Sequence, residues 1–287
     1  MTPSISVVFI TLNEESNLLT ALRSVENWVD EIIVVDMKSD DRTPEIAARF
    51  GAKVVNHERI PFFDAARKYG VELVKSEWVL VLDADEEISP GLAGVIIEWL
   101  RADQLDVIDL PWANLAFSGF GPHESGFPEY HPRLFRKSAV ILDGYDGRIH
   151  GFFSFKEGSR RKRIAANFPA ICVRHYTNPT VVDFVSKINR YTTVEAIQRY
   201  DGLRSSIKLV VATLIRPPKA FVRHYLLRRG FLDGWRGLWL SLMFVFYEVL
   251  TLAKVWEMTL HDGRVPEAEE AKKLMKELVG REDVRSR

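Results

Sequence analysis

Several features that classify a protein quickly are scarce in this sequence. Cys172 is the only cysteine among the 287 residues, so no intrachain disulfide can form and a reducing compartment is favoured. Lysine plus arginine and aspartate plus glutamate both number 39, so the net charge indicates no class of partner. No basic segment precedes the short N-terminal apolar run, and we therefore expect a first strand there and not a signal peptide.

The sequence also lacks the patterns typical of several other classes of protein. The 7 histidines show no spacing typical of a metal site, and we expect His123 and His131 to be loop residues beside a segment rich in glycine and proline. The sequence carries no recognised nucleic-acid-binding motif, internal repeat or low-complexity tract. What remains is a globular chain with 47% hydrophobic residues, long enough for one large domain with an appendage or for two modest domains.

Four apolar runs in the first part of the chain have the composition of buried strands. They are residues 5–10, 31–36, 53–56 and 78–82, separated by segments of helical length. Continuous apolar strands that alternate with helices indicate a mostly parallel sheet covered on both faces. Ligands of such sheets bind beyond the carboxyl ends of the strands, where Asn13, Asp36 and Asp83 fall.

The fourth run ends in Asp83, Ala84 and Asp85, the most informative motif of the chain. Residues two apart in a strand point the same way, so both carboxylates can face one cation. Mg²⁺ or Mn²⁺ prefers such oxygen ligands together with substrate phosphates. One alternative is a solvated acidic turn, since Glu86 and Glu87 follow. The haloacid-dehalogenase phosphatase motif is a weaker alternative, because it needs threonine or valine where this chain has Glu87.

Basic and large apolar residues are interleaved in residues 204–236. This segment contains 8 lysines or arginines against one acidic residue, Asp233, and such a helix is suited to lying on an anionic leaflet. Residues 237–253 are apolar except for Glu248 and are borderline in length for the ~20 residues that span the hydrocarbon core. We expect this run to lie in the membrane surface or dip into it. A buried helix of a soluble oligomer is the alternative.

Three motifs near the ends of predicted strands, read together, resemble glycosyltransferase family 2. They are TLNEE at residues 11–15, VDMKSDDRT at 35–43 and LDADE at 82–86. FPEYHPRLFR at 127–136, KINRY at 187–191 and RRGFLDG at 228–234 look like the branch that glycosylates lipopolysaccharide inner core and related lipid-linked glycans. The resemblance covers roughly residues 4–257 and adds nothing in the charged tail.

The resemblance implies a GT-A fold, which is a Rossmann-like, mostly parallel α/β sheet with flanking helices. It also implies a nucleotide-sugar donor, a divalent metal and inversion at the anomeric carbon. Asp36 matches the acid that hydrogen-bonds the nucleobase, and since a carboxylate can accept an imino proton, uridine is favoured. The expected nucleotide-binding residues are Thr11, Asn13, Glu14, Asp36, Ser39, Arg67, Asp83 and Ala84.

The same resemblance assigns the chemistry to four residues: Asp85, Glu129, Arg133 and His150. Asp85 would ligate the metal directly, while Asp83 contacts ribose or reaches the metal through water. Glu129, four residues before Arg133, would be the base that activates the acceptor hydroxyl.

Three of the expected site residues have a plainer alternative or depart from the family pattern. Glu129 could pair with Arg133 or Arg136 merely to shape a loop, and Arg67 could be an exposed helix arginine. His150 could bind acceptor or diphosphate, but relatives usually have glutamate after this histidine and here Gly151 stands in its place. This departure puts the acceptor in doubt.

We therefore expect a catalytic domain over residues 1–178, a helical membrane-associating region over 179–260 and a charged helical tail over 261–287. The predicted enzyme transfers a sugar, from UDP by preference, to a lipid-linked glycan such as lipopolysaccharide core. It would act on the cytoplasmic face of the cell membrane as a peripheral or monotopic protein and bind no nucleic acid. The alternatives are a polyprenyl-phosphate hexosyltransferase and a non-catalytic subunit of a glycan-assembly complex.

Overall fold

A computed structural model of the chain describes residues 3–60, 64–102, 104–116, 128–142, 153–178 and 180–266. The described residues form two compact units, which divide between Thr177 and Asn178. The first unit is α/β and the second is helical. Of the predicted tail, residues 267–287 lie outside the described residues, and the predicted domain boundaries stay predictions.

Four parallel strands begin the sheet of the first unit. They are β1 (Ile5–Thr11), β2 (Glu31–Asp36), β3 (Lys53–Asn56) and β4 (Trp78–Asp83), in the order β3-β2-β1-β4. The four apolar runs predicted as strands match these strands to within a residue at each end, so that prediction is confirmed. All of the residues of β1 are buried, as expected of a strand covered on both faces.

The remaining strands of the first unit make the sheet mixed. In chain order they are β5 (Glu86–Ile88), β6 (Val107–Ala116), β7 (Glu129–Arg136), β8 (Val140–Ile141), β9 (Ser154–Phe155), β10 (Arg161–Arg163) and β11 (Val173–Asn178). Beyond β4 the order is β7-β6-β11-β5, with β10 beside β6, while β8 and β9 form a separate pair. β7 runs antiparallel to β4 and β6. The α/β prediction is confirmed, and the parallel part of the sheet is confined mainly to its first four strands.

Helices cover both faces of the sheet. They are α1 (Leu18–Arg23), α2 (Thr43–Arg49), α3 (Asp64–Leu73) and α4 (Pro90–Arg101). Val7 and Phe9 of β1 belong to the core formed with α1, α2 and α4, whereas Val8 and Ile10 belong to the core formed with α3. This alternation follows from the two-residue period of a strand.

Gly70 brings α3 unusually close to the sheet. A Cβ atom at this position would lie 3.0 Å from Val35 Cγ2 and closer still to Val8 Cγ1, so a larger residue would push the helix outward. Arg67 lies one turn earlier on the same helix. The close packing at Gly70 therefore helps to position Arg67 relative to the strand ends.

The second unit is an assembly of helices. It comprises α5 (Val181–Leu203), α6 (Ser206–Phe221), a π-helical segment (Val222–Leu227), a 3-10 turn (Gly230–Asp233) and α7 (Gly234–Leu260). Its small core consists of Ala196, Leu209, Ala212, Leu252, Val255 and Met258. Glu248, the one charge in the apolar part of α7, accepts a 2.8 Å hydrogen bond from Arg199 Nη1. The charge is thus neutralised inside the unit.

Candidate functional site

The register of the parallel strands gathers the predicted nucleotide-binding residues at one edge. Thr11 pairs with Asp36 across β1 and β2, and Ile10 pairs with Asp83 across β1 and β4. Asp36 is buried, and its Oδ1 accepts hydrogen bonds from the Thr11 hydroxyl at 2.9 Å and the Ser39 hydroxyl at 2.6 Å. Its Oδ2 accepts from the Ser39 N–H at 2.8 Å. Asp36 therefore fixes the loops that follow β1 and β2.

Asn13 joins the same two loops through a left-handed backbone conformation. Its φ is 58°, a region that asparagine tolerates better than most residues. The Asn13 N–H donates to Ser39 Oγ at 2.9 Å, and Asn13 Oδ1 accepts from the Asp40 N–H at 2.8 Å. The Glu14 N–H donates to Thr43 Oγ1 at 2.8 Å. The structure thus brings Thr11, Asn13, Glu14, Asp36 and Ser39 together.

Asp83 is held by two arginines. Arg67 Nη2 lies 2.6 Å from Oδ1 and 2.7 Å from Oδ2, and Arg133 Nη2 lies 3.5 Å from Oδ2. Burial alone would raise the pKa of Asp83, but the two guanidinium groups outweigh it and hold that pKa well below its usual range. The Arg67 side chain is 16% exposed, so the alternative of an exposed helix arginine is wrong.

Asp85 lies in the turn between β4 and β5, and not in the strand. The expectation that Asp83 and Asp85 project from one strand face is therefore wrong, since the chain leaves the strand at Asp83. Asp85 Oδ2 lies 3.3 Å from His175 Nε2, and the Asp85 carbonyl accepts from the Tyr176 N–H at 2.9 Å. Burial lowers the pKa of His175, but the hydrogen bond to Asp85 and the charge of Asp85 raise it by more than burial lowers it. The pKa of His175 is therefore above its usual value.

Two further residues fix this turn. Ala84 is buried in the core beneath it. Glu86 is also buried, and its carboxylate accepts from the Asp83 N–H and from Trp112 Nε1, both at 2.8 Å. Burial and the neighbouring charge of Asp83 raise the pKa of Glu86. Glu86 is thus held by Asp83 and Trp112, whereas the carboxylate of Asp85 points toward His175.

Glu129 begins β7 and belongs to a chain of polar contacts. Its Oε2 accepts from Asn114 Nδ2 at 2.9 Å, and Asn114 Oδ1 lies 2.7 Å from His175 Nδ1. The alternative that Glu129 pairs with Arg133 or Arg136 is wrong. Arg133 contacts Asp83, while the Arg136 side chain binds the Leu105 carbonyl and the carboxylates of Glu77 and Asp106.

His131 is a strand residue, so the expectation of a loop histidine is wrong. Its ring meets Trp112 nearly edge-on, with centroids 4.9 Å apart. Burial and the charge of Arg133 lower the pKa of His131 to about 4, so the ring is neutral near pH 7. His123 and His150 lie outside the described residues.

Asp85 and His175 are the pair best placed to hold a cation. Within the described ranges, no group of three or more histidine, cysteine, aspartate or glutamate side chains is arranged to hold a metal ion. A site on Asp85 and His175 would therefore need further ligands from substrate phosphates and water, which is common for catalytic divalent cations. A carboxylate with an imidazole suits Mn²⁺, whereas Mg²⁺ prefers oxygen ligands.

Sequence reasoning missed three residues of this site: Glu86, Asn114 and His175. Glu86 belongs to the LDADE motif, but the sequence assigns it no role beyond the alternative of an acidic turn, although its place directly after Asp85 is a usable signal. Asn114 and His175 carry no motif, and they meet the site only because β6, β7 and β11 are gathered into one sheet. No pattern in the sequence could have identified them.

The second unit exposes a large apolar surface on α6. Ile207, Val210, Val211, Leu214 and Ile215 are between 48% and 78% exposed, although Leu209 and Ala212 on the opposite side are buried. α6 is therefore apolar on two sides, and only one of them is covered within the unit.

The segment Gly230–Leu260 is long and apolar enough to cross a membrane, and only 22% of its most apolar window is buried. A buried core helix of a soluble protein can pass the same length and composition test. Trp235, Trp239 and Trp256 are each more than half exposed. The C-terminal helix is thus of a kind that can associate with a membrane.

The sequence of the chain is similar to those of known glycosyltransferases. The family model described as Glycosyl transferase family 2 matches residues 6–162. An uncharacterized glycosyltransferase of Rickettsia bellii is 30% identical over 91% of this chain and 88% of its own length. The lipopolysaccharide core biosynthesis glycosyltransferase LpsC of Rhizobium meliloti is 23% identical over 88% of this chain and 92% of its own length.

Comparison with solved structures gave more distant similarities. S. aureus TarS 1-349 in complex with UDP has a TM-score of 0.47 and 14% identity, over 91% of this chain and 92% of that one. The chain spans 43% of a longer TarS chain. Glucosyl-3-phosphoglycerate synthase of Mycobacterium tuberculosis with Mn²⁺, UDP and phosphoglyceric acid has a TM-score of 0.31 and 24% identity, over 41% of this chain and 44% of that one.

Proposed function

Because the chain belongs to glycosyl transferase family 2, we propose that it moves a sugar from a UDP-sugar to a lipid-linked glycan with inversion at the anomeric carbon. The observation that carries this proposal is the chain of contacts from Asp85 through His175 and Asn114 to Glu129. These contacts support the proposal because they link a candidate cation site to a candidate base. In an inverting displacement the base would deprotonate the acceptor hydroxyl and the cation would stabilise the leaving diphosphate.

On the donor side, the loops fixed by Asp36 receive the nucleoside. The base and ribose are surrounded by Thr11, Asn13, Glu14, Asp36 and Ser39. Asp36 accepts the imino proton of uracil. Asp83 and Arg67 lie next to this group at the end of β4 and bind ribose and diphosphate. Support comes from the clustering of these residues at the carboxyl ends of parallel strands, where ligands of α/β sheets bind.

The diphosphate is the leaving group and gathers negative charge as the glycosidic bond breaks. A divalent cation, once bound by Asp85 and His175, would stabilise that charge as a Lewis acid. Arg133 Nη1 is buried and has no hydrogen-bond partner among the described residues. An unpartnered guanidinium nitrogen is costly to bury, so we assign it to a phosphate oxygen of the donor.

The acceptor hydroxyl must lose a proton as it attacks the anomeric carbon. Glu129 is half exposed and held on one oxygen by Asn114, so it can take this proton. His150, outside the described residues, keeps its predicted role in binding acceptor or diphosphate.

A lipid-linked acceptor is supported by the second unit. The exposed apolar side of α6 and the basic residues of 204–236 suit an anionic membrane surface. The similarity to LpsC makes lipopolysaccharide core the favoured acceptor class. We place the enzyme on the cytoplasmic face of the cell membrane, where nucleotide sugars are made.

A thermal-shift panel of nucleotide sugars tests the proposal. A ligand at 100 times its dissociation constant adds ~2.7 kcal/mol to the free energy of unfolding, so the true donor should raise the melting temperature with Mn²⁺ and not with EDTA. The selected donor is then offered membrane glycolipid or polyprenyl phosphate, and products are separated by thin-layer chromatography. Transfer to polyprenyl phosphate alone would replace the proposed acceptor, and no shift with any UDP-sugar would overturn the proposed donor.

A further inference from the structure

Asn114 lies near the end of β6 and contacts both halves of the proposed active site. Its Nδ2 is 2.9 Å from Glu129 Oε2, and its Oδ1 is 2.7 Å from His175 Nδ1. It belongs to none of the motifs that carry the family resemblance. Its two contacts are with residues 15 and 61 positions away in the sequence, so only the fold creates them.

The chemistry of an amide allows one orientation here. The carboxylate of Glu129 can only accept, so Asn114 must present its NH₂ group to Glu129 and its oxygen to His175. That oxygen in turn requires a proton on His175 Nδ1. The remaining ring nitrogen, Nε2, is the one 3.3 Å from Asp85 Oδ2. Asn114 thereby selects which nitrogen of His175 faces the candidate cation site.

We propose that Asn114 is a positioning residue that couples the cation site to the catalytic base. By accepting from His175 Nδ1 it holds Nε2 toward Asp85, as partners beyond the ligand shell do for metal-binding histidines. By donating to Glu129 Oε2 it fixes the carboxylate while leaving Oε1 for the acceptor proton. The inference rests on the proposed function, since it presumes that Asp85 and Glu129 act as assigned there.

Two substitutions separate the two contacts. Asn114→Asp is nearly isosteric and keeps an acceptor for His175, but it removes the donor to Glu129. Asn114→Ala removes both contacts. The exposed Asn167, whose structural contact is a backbone bridge to Ile171, gives matched controls in Asn167→Asp and Asn167→Ala.

Two readouts are compared for each variant. The first is Mn²⁺ affinity in the presence of UDP, measured by electron paramagnetic resonance. The second is kcat for release of UDP from the nucleotide sugar selected in the thermal-shift panel, with membrane glycolipid as acceptor. UDP binding and a cooperative thermal transition establish that each variant is folded. If Asn114→Ala does not fold, Asn114→Asp carries the test alone.

The expected results differ between the variants. Asn114→Asp still accepts from His175 but sets a carboxylate against Glu129, so it should bind Mn²⁺ within about 3-fold of the wild type yet lose about 10²-fold in kcat. Asn114→Ala should lose about 10- to 100-fold in Mn²⁺ affinity as well. Wild-type kcat in Asn114→Asp, or equal loss of Mn²⁺ affinity in both variants, overturns the coupling.

Parallel assays of Asp85→Asn and Glu129→Gln distinguish this failure from failure of the proposed function. If those two variants collapse while both Asn114 variants behave like the wild type, only the coupling falls. If Glu129→Gln retains transfer, Glu129 is not the base and the coupling falls with that assignment, whereas the proposed function falls if the wild type transfers no sugar from any UDP-sugar.

Discussion

A single nitrogen of Arg67 bridges both carboxylate oxygens of Asp83, at 2.6 Å and 2.7 Å. The pair joins the start of α3 to the end of β4, and both side chains are largely shielded from solvent. Removing one partner of such a pair leaves a charge without its counterpart. This lowers the free energy of unfolding more than replacing both partners does.

We therefore expect Arg67→Met to lower the free energy of unfolding by roughly 2 to 4 kcal/mol at pH 7. Arg67→Met combined with Asp83→Asn should recover only part of the loss, because it removes the Asp83 charge but leaves Arg133 without its carboxylate partner. Urea denaturation measures both. Arg49→Met, at an exposed arginine of α2, is the control and should change stability by less than about 0.5 kcal/mol. A double variant no more stable than the single one would contradict this account.

Asp85→Asn should abolish turnover while leaving the fold intact. Stabilisation of a leaving group by a cation is worth several kcal/mol, and each ~1.4 kcal/mol is tenfold in rate, so we expect a loss of several powers of ten. Mn²⁺ binding with UDP should be lost in parallel. Glu87→Gln is the control within the same acidic cluster, because Glu87 binds Arg174 and Tyr176 instead. Near-normal turnover of Asp85→Asn in EDTA would exclude the metal assignment.

Glu129→Gln should abolish transfer and leave donor affinity nearly unchanged. The residue is assigned to the acceptor side only, and loss of a general base typically costs ~10² to 10⁴ in rate. Turnover and UDP affinity are measured on the same preparation, with the exposed Glu157→Gln as control. Weaker nucleotide binding with intact turnover would show that the assigned role is wrong.

The free energy of unfolding should depend on the protonation of His131. Its pKa is about 4 in the folded protein and 6.5 in the unfolded chain, so the unfolded state binds more protons between these values. The contribution of neutral His131 to the free energy of unfolding is fully present above pH 6.5 and is lost as the pH falls toward 4. The loss is roughly 3 kcal/mol.

His131→Phe keeps an aromatic ring against Trp112 but cannot be protonated. The difference in stability between this variant and the wild type should therefore move in favour of the variant as the pH falls from 7 to 4. Urea titrations across this range measure it. Identical pH dependence of both proteins would mean that His131 is not protonated on unfolding in this range.

Charge reversal at Arg223, Arg228 and Arg229 should release the protein from anionic vesicles. Each basic residue near such a surface contributes ~1 kcal/mol within a Debye length. Transfer to a lipid acceptor should fall while a soluble acceptor fragment remains a substrate. Wild-type binding, measured by vesicle sedimentation, should weaken with salt but persist because of the apolar surface of α6 and α7.

The matched control reverses Arg23, Arg101 and Lys162, three exposed basic residues of the first unit. It carries the same change in net charge and should still bind. If the wild type shows no affinity for phosphatidylserine vesicles and neither triple variant changes that, the second unit serves another purpose, such as an oligomer interface.

The sequence by itself determined the parallel strands, the edge where they end and the family. Those features are local: an apolar run of strand length fixes β1, β2 and β4, and the polar residues after each run fall at one edge because parallel strands end together. Thr11, Asp36 and Asp83 could therefore be placed near one another before the fold was known.

Only the tertiary structure decided what each of these side chains contacts. Asp85 left the strand for a turn because Glu86 caps the end of β4, and Arg67 reached Asp83 because Gly70 lets α3 approach the sheet. Asn114 and His175 belong to strands far apart in sequence, and no periodicity encodes the pairing that brings them together. Local patterns specify elements, whereas the partners of a buried polar group depend on how distant elements pack.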